Sequence, residues 1–201
     1  MSRPPHRLYL AAEVVIPSDQ GDTEQAMLAA SIAQLAGDRG DLEVALTGWT
    51  RALRYMEDDG HLSEPMVRLN VAPARLKLQQ LDSARSQAWR ARRAFARTGR
   101  RSCETSPCAL LATIGATDPC WADVGNRLHD TRMAAGDAEL SEPDFAWSLE
   151  TAGEHCAEAG QHALAGEALQ MAHAHDVVRM ARHDAGARVQ ALLDAPPRAQ
   201  S

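Results

Sequence analysis

Two glycine corners 120 residues apart, Gly40 and Gly160, open stretches that share one arrangement of small and large residues. Ala45, Trp49 and Ala52 follow the first; Ala165, Leu169 and Ala172 follow the second at identical offsets. Positions i, i+4 and i+7 lie on one face of an α-helix. Alanine on that face lets a neighbouring helix approach closely. A further copy, Leu81, Ala84, Ala88 and Ala91, repeats the spacing of Leu42, Ala45, Trp49 and Ala52 and falls near residue 80, so the period is about 40 residues. A helical hairpin that recurs in this way buries only part of its apolar face alone, and it must stack on its neighbours to bury the rest.

Each second helix has a candidate partner before it. Residues 23–40, TEQAMLAASIAQLAGDRG, read as a helix with Thr23 at its N-cap. Residues 64–80, EPMVRLNVAPARLKLQQ, read as another, in which Pro73 predicts a kink or a late start. Residues 143–159, PDFAWSLETAGEHCAEA, precede the last copy. The period calls for a unit near residue 120, where Ser106-Pro107 and Asp118-Pro119 are N-cap and N1 signals for CALLATIGA and CWADVGNRLHDTRMAA. The last helix, DVVRMARHDAGARVQALL, is expected to cap the array, followed by a frayed tail, DAPPRAQS.

Composition agrees. Aromatic residues are only 4% of the chain, and a core of Ala and Leu suits packed helices better than a sheet. No apolar run reaches the roughly 18 residues of a membrane-spanning helix. The N-terminal apolar run is short and lacks an Ala-x-Ala-type cleavage site, so a packed first segment is expected rather than a signal peptide. Cys103, Cys108, Cys120 and Cys156 are expected as reduced thiols in a cytoplasmic protein, since a helical chain of 201 residues does not need disulfide staples.

The pattern resembles tetratricopeptide repeats, which place a large residue, Leu-Gly and Tyr in the first helix of each unit and Ala, an aromatic and Ala in the second. Ala45, Trp49 and Ala52 carry the second-helix resemblance; Leu149, Ala152-Gly153 and Cys156 carry the first. The resemblance implies an all-α, TPR-like α-solenoid of about three to four hairpins with a C-terminal capping helix. It would span residues 23–193, between an N-terminal segment (1–22) and a flexible tail (194–201). The resemblance also implies a groove along the first helices in which a protein or peptide binds. Carried onto this sequence, that face selects Trp147, Glu150, Glu154 and Glu158 in the last copy and Asn70 in the second. The three glutamates form one negative stripe, which suits a basic or amphipathic partner. Ala30 and Gln34 stand where relatives that grip C-terminal carboxylates need cations, which argues against that subtype.

Charge is unevenly spread. The net charge of −6 divides into −5 over residues 1–60, +8 over 61–101 and −9 over 102–201. The basic block centres on RSQAWRARRAFARTGRR, in which Arg90, Arg93 and Arg97 share a stripe opposite Ala84, Ala88, Ala91 and Phe95. That stripe is a solvated helix face or a second docking surface for an acidic group, with Trp89 available for stacking. One such stripe on an acidic chain disfavours nucleic acid as the partner.

Nothing marks an active site. The Cys103, Cys108, Cys120 and His129 spacing lacks the tight Cys-x2-Cys pair of structural zinc sites, and no His-Glu-x-x-His, phosphate-binding or nucleophile-elbow motif occurs. The late histidines, His155, His162, His173, His175 and His183, are read as polar faces and turns. The expectation is therefore a non-enzymatic adaptor or chaperone-like scaffold with no metal or cofactor. The alternative is a regulatory module that senses a peptide or small molecule and uses its Arg-rich helix against nucleic acid or an acidic partner.

Overall fold

A computed structural model describes residues 22–59, 63–97, 99, 101–118, 120–135 and 143–193. Among these residues there are eight α-helices and no strand: α1 (Asp22–Asp38), α2 (Leu42–Asp59), α3 (Glu64–Lys77), α4 (Leu81–Arg97), α5 (Thr105–Thr117), α6 (Trp121–Ala135), α7 (Pro143–Glu158) and α8 (His162–Leu193). One 3-10 turn, Arg101–Glu104, leads into α5.

The repeat is written in the backbone of the corners. After α1, α3, α5 and α7 the chain closes the helix with a bond from an N–H to the carbonyl five residues back: Asp41 to Ala36, Gln80 to Arg75, Cys120 to Gly115 and Gln161 to Cys156. This is the 6→1 bond of a Schellman-type C-cap. The same four residues, Asp41, Gln80, Cys120 and Gln161, then accept the first bond of the next helix, from Ala45, Ala84, Val124 and Ala165. Left-handed residues precede three of these corners: Gly40 (φ 82°), Gln79 (φ 58°) and Gly160 (φ 73°). Glycine adopts that conformation without strain, whereas Gln79 does so at a cost.

The four hairpins, α1/α2, α3/α4, α5/α6 and α7/α8, stack mainly through α2 against α3, α4 against α5, and α5 against α7. Alanines at the repeat positions fill the seams: Ala45, Ala52, Ala84, Ala88 and Ala91 are all fully buried, as are Ala152 and Ala168. Phe95, Phe145 and Met56 supply bulk between them, each contributing about 2–3 kcal/mol by leaving water. Where helices come closest, glycine replaces alanine: a Cβ at Gly48 of α2 would lie 2.8 Å from the Ala33 Cβ of α1.

Four expectations need correction. Helix α3 runs from Glu64 straight through a buried Pro73, so the helix does not start late. Ser106 and Pro107 sit inside the first turn of α5 rather than at its cap, because Pro lacks only an N–H that a first turn leaves unbonded anyway. Asp118 ends α5 rather than starting α6, and its carboxylate pairs with Arg85 of α4 at 2.9 Å. The last copy and its capping segment form one unbroken helix, α8. Thr23 lies just inside α1, and the segments before residue 22 and after residue 193 fall outside the described residues.

Helix α5 explains why its unit is hard to see in sequence. Every residue from Thr105 to Ala116 is buried, so it carries no amphipathic stripe to read. It lies between α3 and α7, and Thr113 Oγ1 sits 2.6 Å from the Ser148 carbonyl oxygen of α7, where it donates across the helix interface.

Candidate functional site

A cleft of about 250 Å³ is lined by Gln34, Gly37 and Asp38 of α1, Leu42 and Trp49 of α2, and Asn70, Pro73, Ala74 and Lys77 of α3. A polar ladder crosses it: Asn70 Nδ2 donates to Gln34 Oε1 at 2.9 Å, and Gln34 Nε2 donates to Asp38 Oδ1 at 2.8 Å. Each amide keeps hydrogen-bonding capacity that the ladder does not use. Trp49 forms the floor, with a buried Nε1 that has no partner among the described residues.

Lys77, the chain's one lysine, reaches from this cleft towards α7. Its Nζ lies 4.6 Å from the centre of the Trp147 ring, a cation–π contact that spans from α3 to α7 over the buried α5. Trp147 is half-buried and packs on the cluster of Leu76, Leu110, Leu111 and Ile114. Beyond it, Glu150, Glu154 and Glu158 are exposed on α7 at spacings of four residues. The sequence-selected residues Asn70 and Trp147 are thus brought onto one side by α3 and α7, with Lys77 linking them.

Arg90, Arg93 and Arg97 lie on a different face. All three are exposed on α4 and, with Arg68, Glu64 and Ala96, line a cleft of about 540 Å³ between α3 and α4. Arg68 is itself buried; its Nε donates to Glu64 Oε1 at 2.7 Å and its Nη1 to Gln87 Oε1 at 2.8 Å. Trp89 is not the open stacking platform expected from sequence. Arg127 of α6 covers its ring at 4.5 Å, with Arg92 at 5.3 Å. Those two guanidiniums are held by Asp130, at 3.1 Å from Arg127 and 3.0 Å from Arg92, and Arg127 also pairs with Asp123 at 2.9 Å. This network ties α4 to α6.

One basic cleft went unseen in the sequence. Arg51 and Arg54 of α2 converge with Arg75 of α3 around a space of about 650 Å³, together with Leu46, Thr47, Thr50 and Tyr55. Arg51 and Arg54 belong to the acidic first third of the chain and Arg75 to the basic block, so only the α2–α3 packing brings them together.

The thiols are free. Cys108 is buried in α5, and burial pushes its thiol up to about 11; burial raises Cys156 as well. Among the described residues no group of three His, Cys, Asp or Glu is placed to hold a metal ion. His175 departs from the surface role expected of it. It is buried and packed against Phe145 in a tilted arrangement, with ring centroids 5.0 Å apart and 57° between the planes, and neither ring nitrogen has a hydrogen-bond partner among the described residues. Among the same residues no helix is long and apolar enough to cross a membrane.

The stacked hairpins superpose on solved helical-repeat structures. BtubC (BKLC) from P. vanneervenii matches 98% of this chain and 75% of its own, with a TM-score of 0.64 and 14% identity. The kinesin-light-chain-type TPR-like repeats of Podosopora anserina match 85% of this chain and 83% of their own, with a TM-score of 0.59 and 14% identity. The fold is a TPR-like α-solenoid. No family model matches the sequence, and no curated protein does. Within the TPR-like frame, α1, α3, α5 and α7 are the first helices of successive units, and the ladder, Lys77 and Trp147 lie along them.

Proposed function

We propose that this TPR-like chain is a non-catalytic interaction scaffold that binds an extended peptide or protein segment along the groove of its first helices. The observation that carries the reading is the Asp38–Gln34–Asn70 ladder. It crosses from α1 to α3 on the exposed side, and its side-chain amides carry donors and acceptors of the kind that pair with a peptide backbone. Trp147 supplies an apolar wall, and Asp38 with the exposed Glu150, Glu154 and Glu158 sets a negative field that favours a basic or amphipathic segment. In such a groove, apolar anchors carry affinity while charges set orientation and association rate. Arg90, Arg93 and Arg97 provide a second, positive surface on α4, available to an acidic region of the same partner. A cytoplasmic adaptor or chaperone-like role, without metal or cofactor, belongs to the same reading.

Panning a displayed random-peptide library on the purified chain tests it. Basic or amphipathic peptides should be enriched. The synthetic consensus should lose about tenfold or more in affinity, or 1.4 kcal/mol, with Asn70→Ala and with the Glu150→Lys, Glu154→Lys double variant, helicity being unchanged. No enrichment, or equal affinity for the variants, refutes the groove.

A further inference from the structure

We infer that the outer face of α1 binds a second copy of this chain, with the two α1 helices packed antiparallel about a two-fold axis. Six large apolar side chains are exposed among the described residues, and three of them, Met27 (44%), Leu28 (38%) and Leu35 (54%), belong to α1. The other three, Met133, Leu169 and Val177, are spread over α6 and α8, which is the ordinary scatter of a protein surface. Helix α1 carries apolar residues on every side, and a helix of that kind is one that is covered on every side. Its Ala26, Ala33 and Ala36 are sealed in the core it shares with α2, and Gln34 looks across to Asn70 of α3. Leu35, one residue on, is turned about 100° from Gln34 and lies opposite Ala33 on the helix. The Leu28, Ile32 and Leu35 stripe therefore points away from α2 and takes no part in lining the α1/α3 cleft. An outer helix of a stacked array stays soluble through a polar outer face, and here leucines interrupt that face.

The pattern on this face selects the partner, because it is complementary to itself. Glu24, Leu28, Ile32, Leu35 and Arg39 are spaced almost symmetrically about a point between Ser31 and Ile32. When one α1 is reversed against another about that point, Glu24 meets Arg39 of the second copy, Leu28 meets Leu35, and Ile32 fills the centre. Each contact then occurs twice, as an isologous interface requires. A parallel pair would instead set Glu24 against Glu24 and Arg39 against Arg39, and like charges so placed repel. The pairing asks only part of what the Arg39 guanidinium can donate, so a contact that Arg39 makes within its own chain is compatible with it. Two helices touching over about four turns make a small interface, of the transient rather than the obligate class.

Sedimentation velocity of the full chain over about 1–200 µM, a range that resolves micromolar association, tests the interface. The mass should rise from monomer to dimer and stop there, since an isologous contact closes. Leu28→Lys and Leu35→Glu, both at exposed positions, should each weaken association about tenfold or more with helicity unchanged. Mixed in equal amounts, the two variants should associate again as a heterodimer. In that pair the introduced lysine faces the introduced glutamate, while the remaining Leu28 and Leu35 still meet. Met133→Lys, at an exposed apolar position on α6, should change nothing. The inference is overturned by a chain that stays monomeric at every concentration, whether the face is then left to residues 1–21 or to an unrelated protein. It is also overturned by growth beyond the dimer, by insensitivity to Leu35→Glu, or by a mixture that associates no better than either variant alone. Asn70→Ala, which removes a rung of the ladder, should leave self-association unchanged, so failure of the peptide reading and failure of the dimer are told apart.

Discussion

Substituting alanine for two helix-interior glycines should move stability in opposite directions. Gly48 of α2 faces α1, where an added Cβ would meet Ala33 Cβ at 2.8 Å and Ala29 O at 3.3 Å. Ordinary carbon–carbon contact is about 3.5–4.0 Å, so close to 1 Å must be relieved. Ala33 is 1% exposed and its Cβ has no torsion that moves it aside, so the two helices have to part. Overpacking of this kind costs about 1–3 kcal/mol. Against it stands the gain of about 0.8–1.0 kcal/mol for alanine over glycine in a helix. Gly48→Ala is therefore expected to be destabilising by up to about 2 kcal/mol. In Gly166 of α8 the added Cβ meets nothing within 4 Å, so Gly166→Ala keeps the full propensity gain of about 0.8–1.0 kcal/mol. Urea unfolding followed by far-UV circular dichroism measures both, and equal m-values make the midpoints comparable. A Gly48→Ala variant as stable as Gly166→Ala would refute the close approach of α1 and α2, and with it the tight hairpin packing on which the repeat rests.

Gln79→Gly should stabilise the second corner by about 0.5–1 kcal/mol, because the left-handed strain at φ 58° exceeds the entropy that glycine loses on folding; a lower urea midpoint would contradict it. Removing the carboxylate charge by Glu64→Gln leaves the buried Arg68 guanidinium short of its charged partner and should cost about 2–3 kcal/mol, read from the same unfolding curves. For Cys108, whose folded-state thiol is raised to about 11 from 9.0, the unfolded chain binds fewer protons between those values, so stability should fall as pH rises through that window. The slope from this thiol is at most about 1.4 kcal/mol per pH unit, and Cys108→Ala should remove it. At pH 8 the same thiol should resist iodoacetamide in the folded chain while the exposed Cys120 reacts; equal labelling would show that α5 is not buried.

What sequence reveals here depends on whether a residue acts within one helix or between two. Ala45, Ala52, Ala84, Ala88, Ala91, Ala165 and Ala172 announce the hairpin seams because a helix interface demands small side chains at fixed helical spacing, and all are buried as that spacing requires. Gly40 and Gly160 mark two corners because a left-handed residue is needed there, while Gln79 adopts the same conformation without advertising it. The α5 unit is obscured because burial on all sides erases periodicity, and Pro107 sits inside its first turn rather than beside its cap. The repeat places Asn70 and Trp147 on first helices, where the structure has them, but the Lys77–Trp147 contact was not legible, since it joins residues 70 positions apart across α5. The Arg51, Arg54 and Arg75 cleft was invisible for the same reason: its charges come from two helices on opposite sides of a charge-block boundary. Trp89 shows the converse error, in which an apparently available ring is already occupied by Arg127 from a helix that local reading does not pair with it.

The groove is tested most directly by amide and side-chain NMR perturbation of the isotopically labelled chain on titration with a library-selected peptide. Shifts concentrated at Gln34, Asp38, Asn70, Lys77 and Trp147, with the side-chain amides of Gln34 and Asn70 moving as the ladder opens to the ligand, are the expected result. Shifts confined to α2, α4 and α6, with the ladder amides unmoved at saturation, would contradict it.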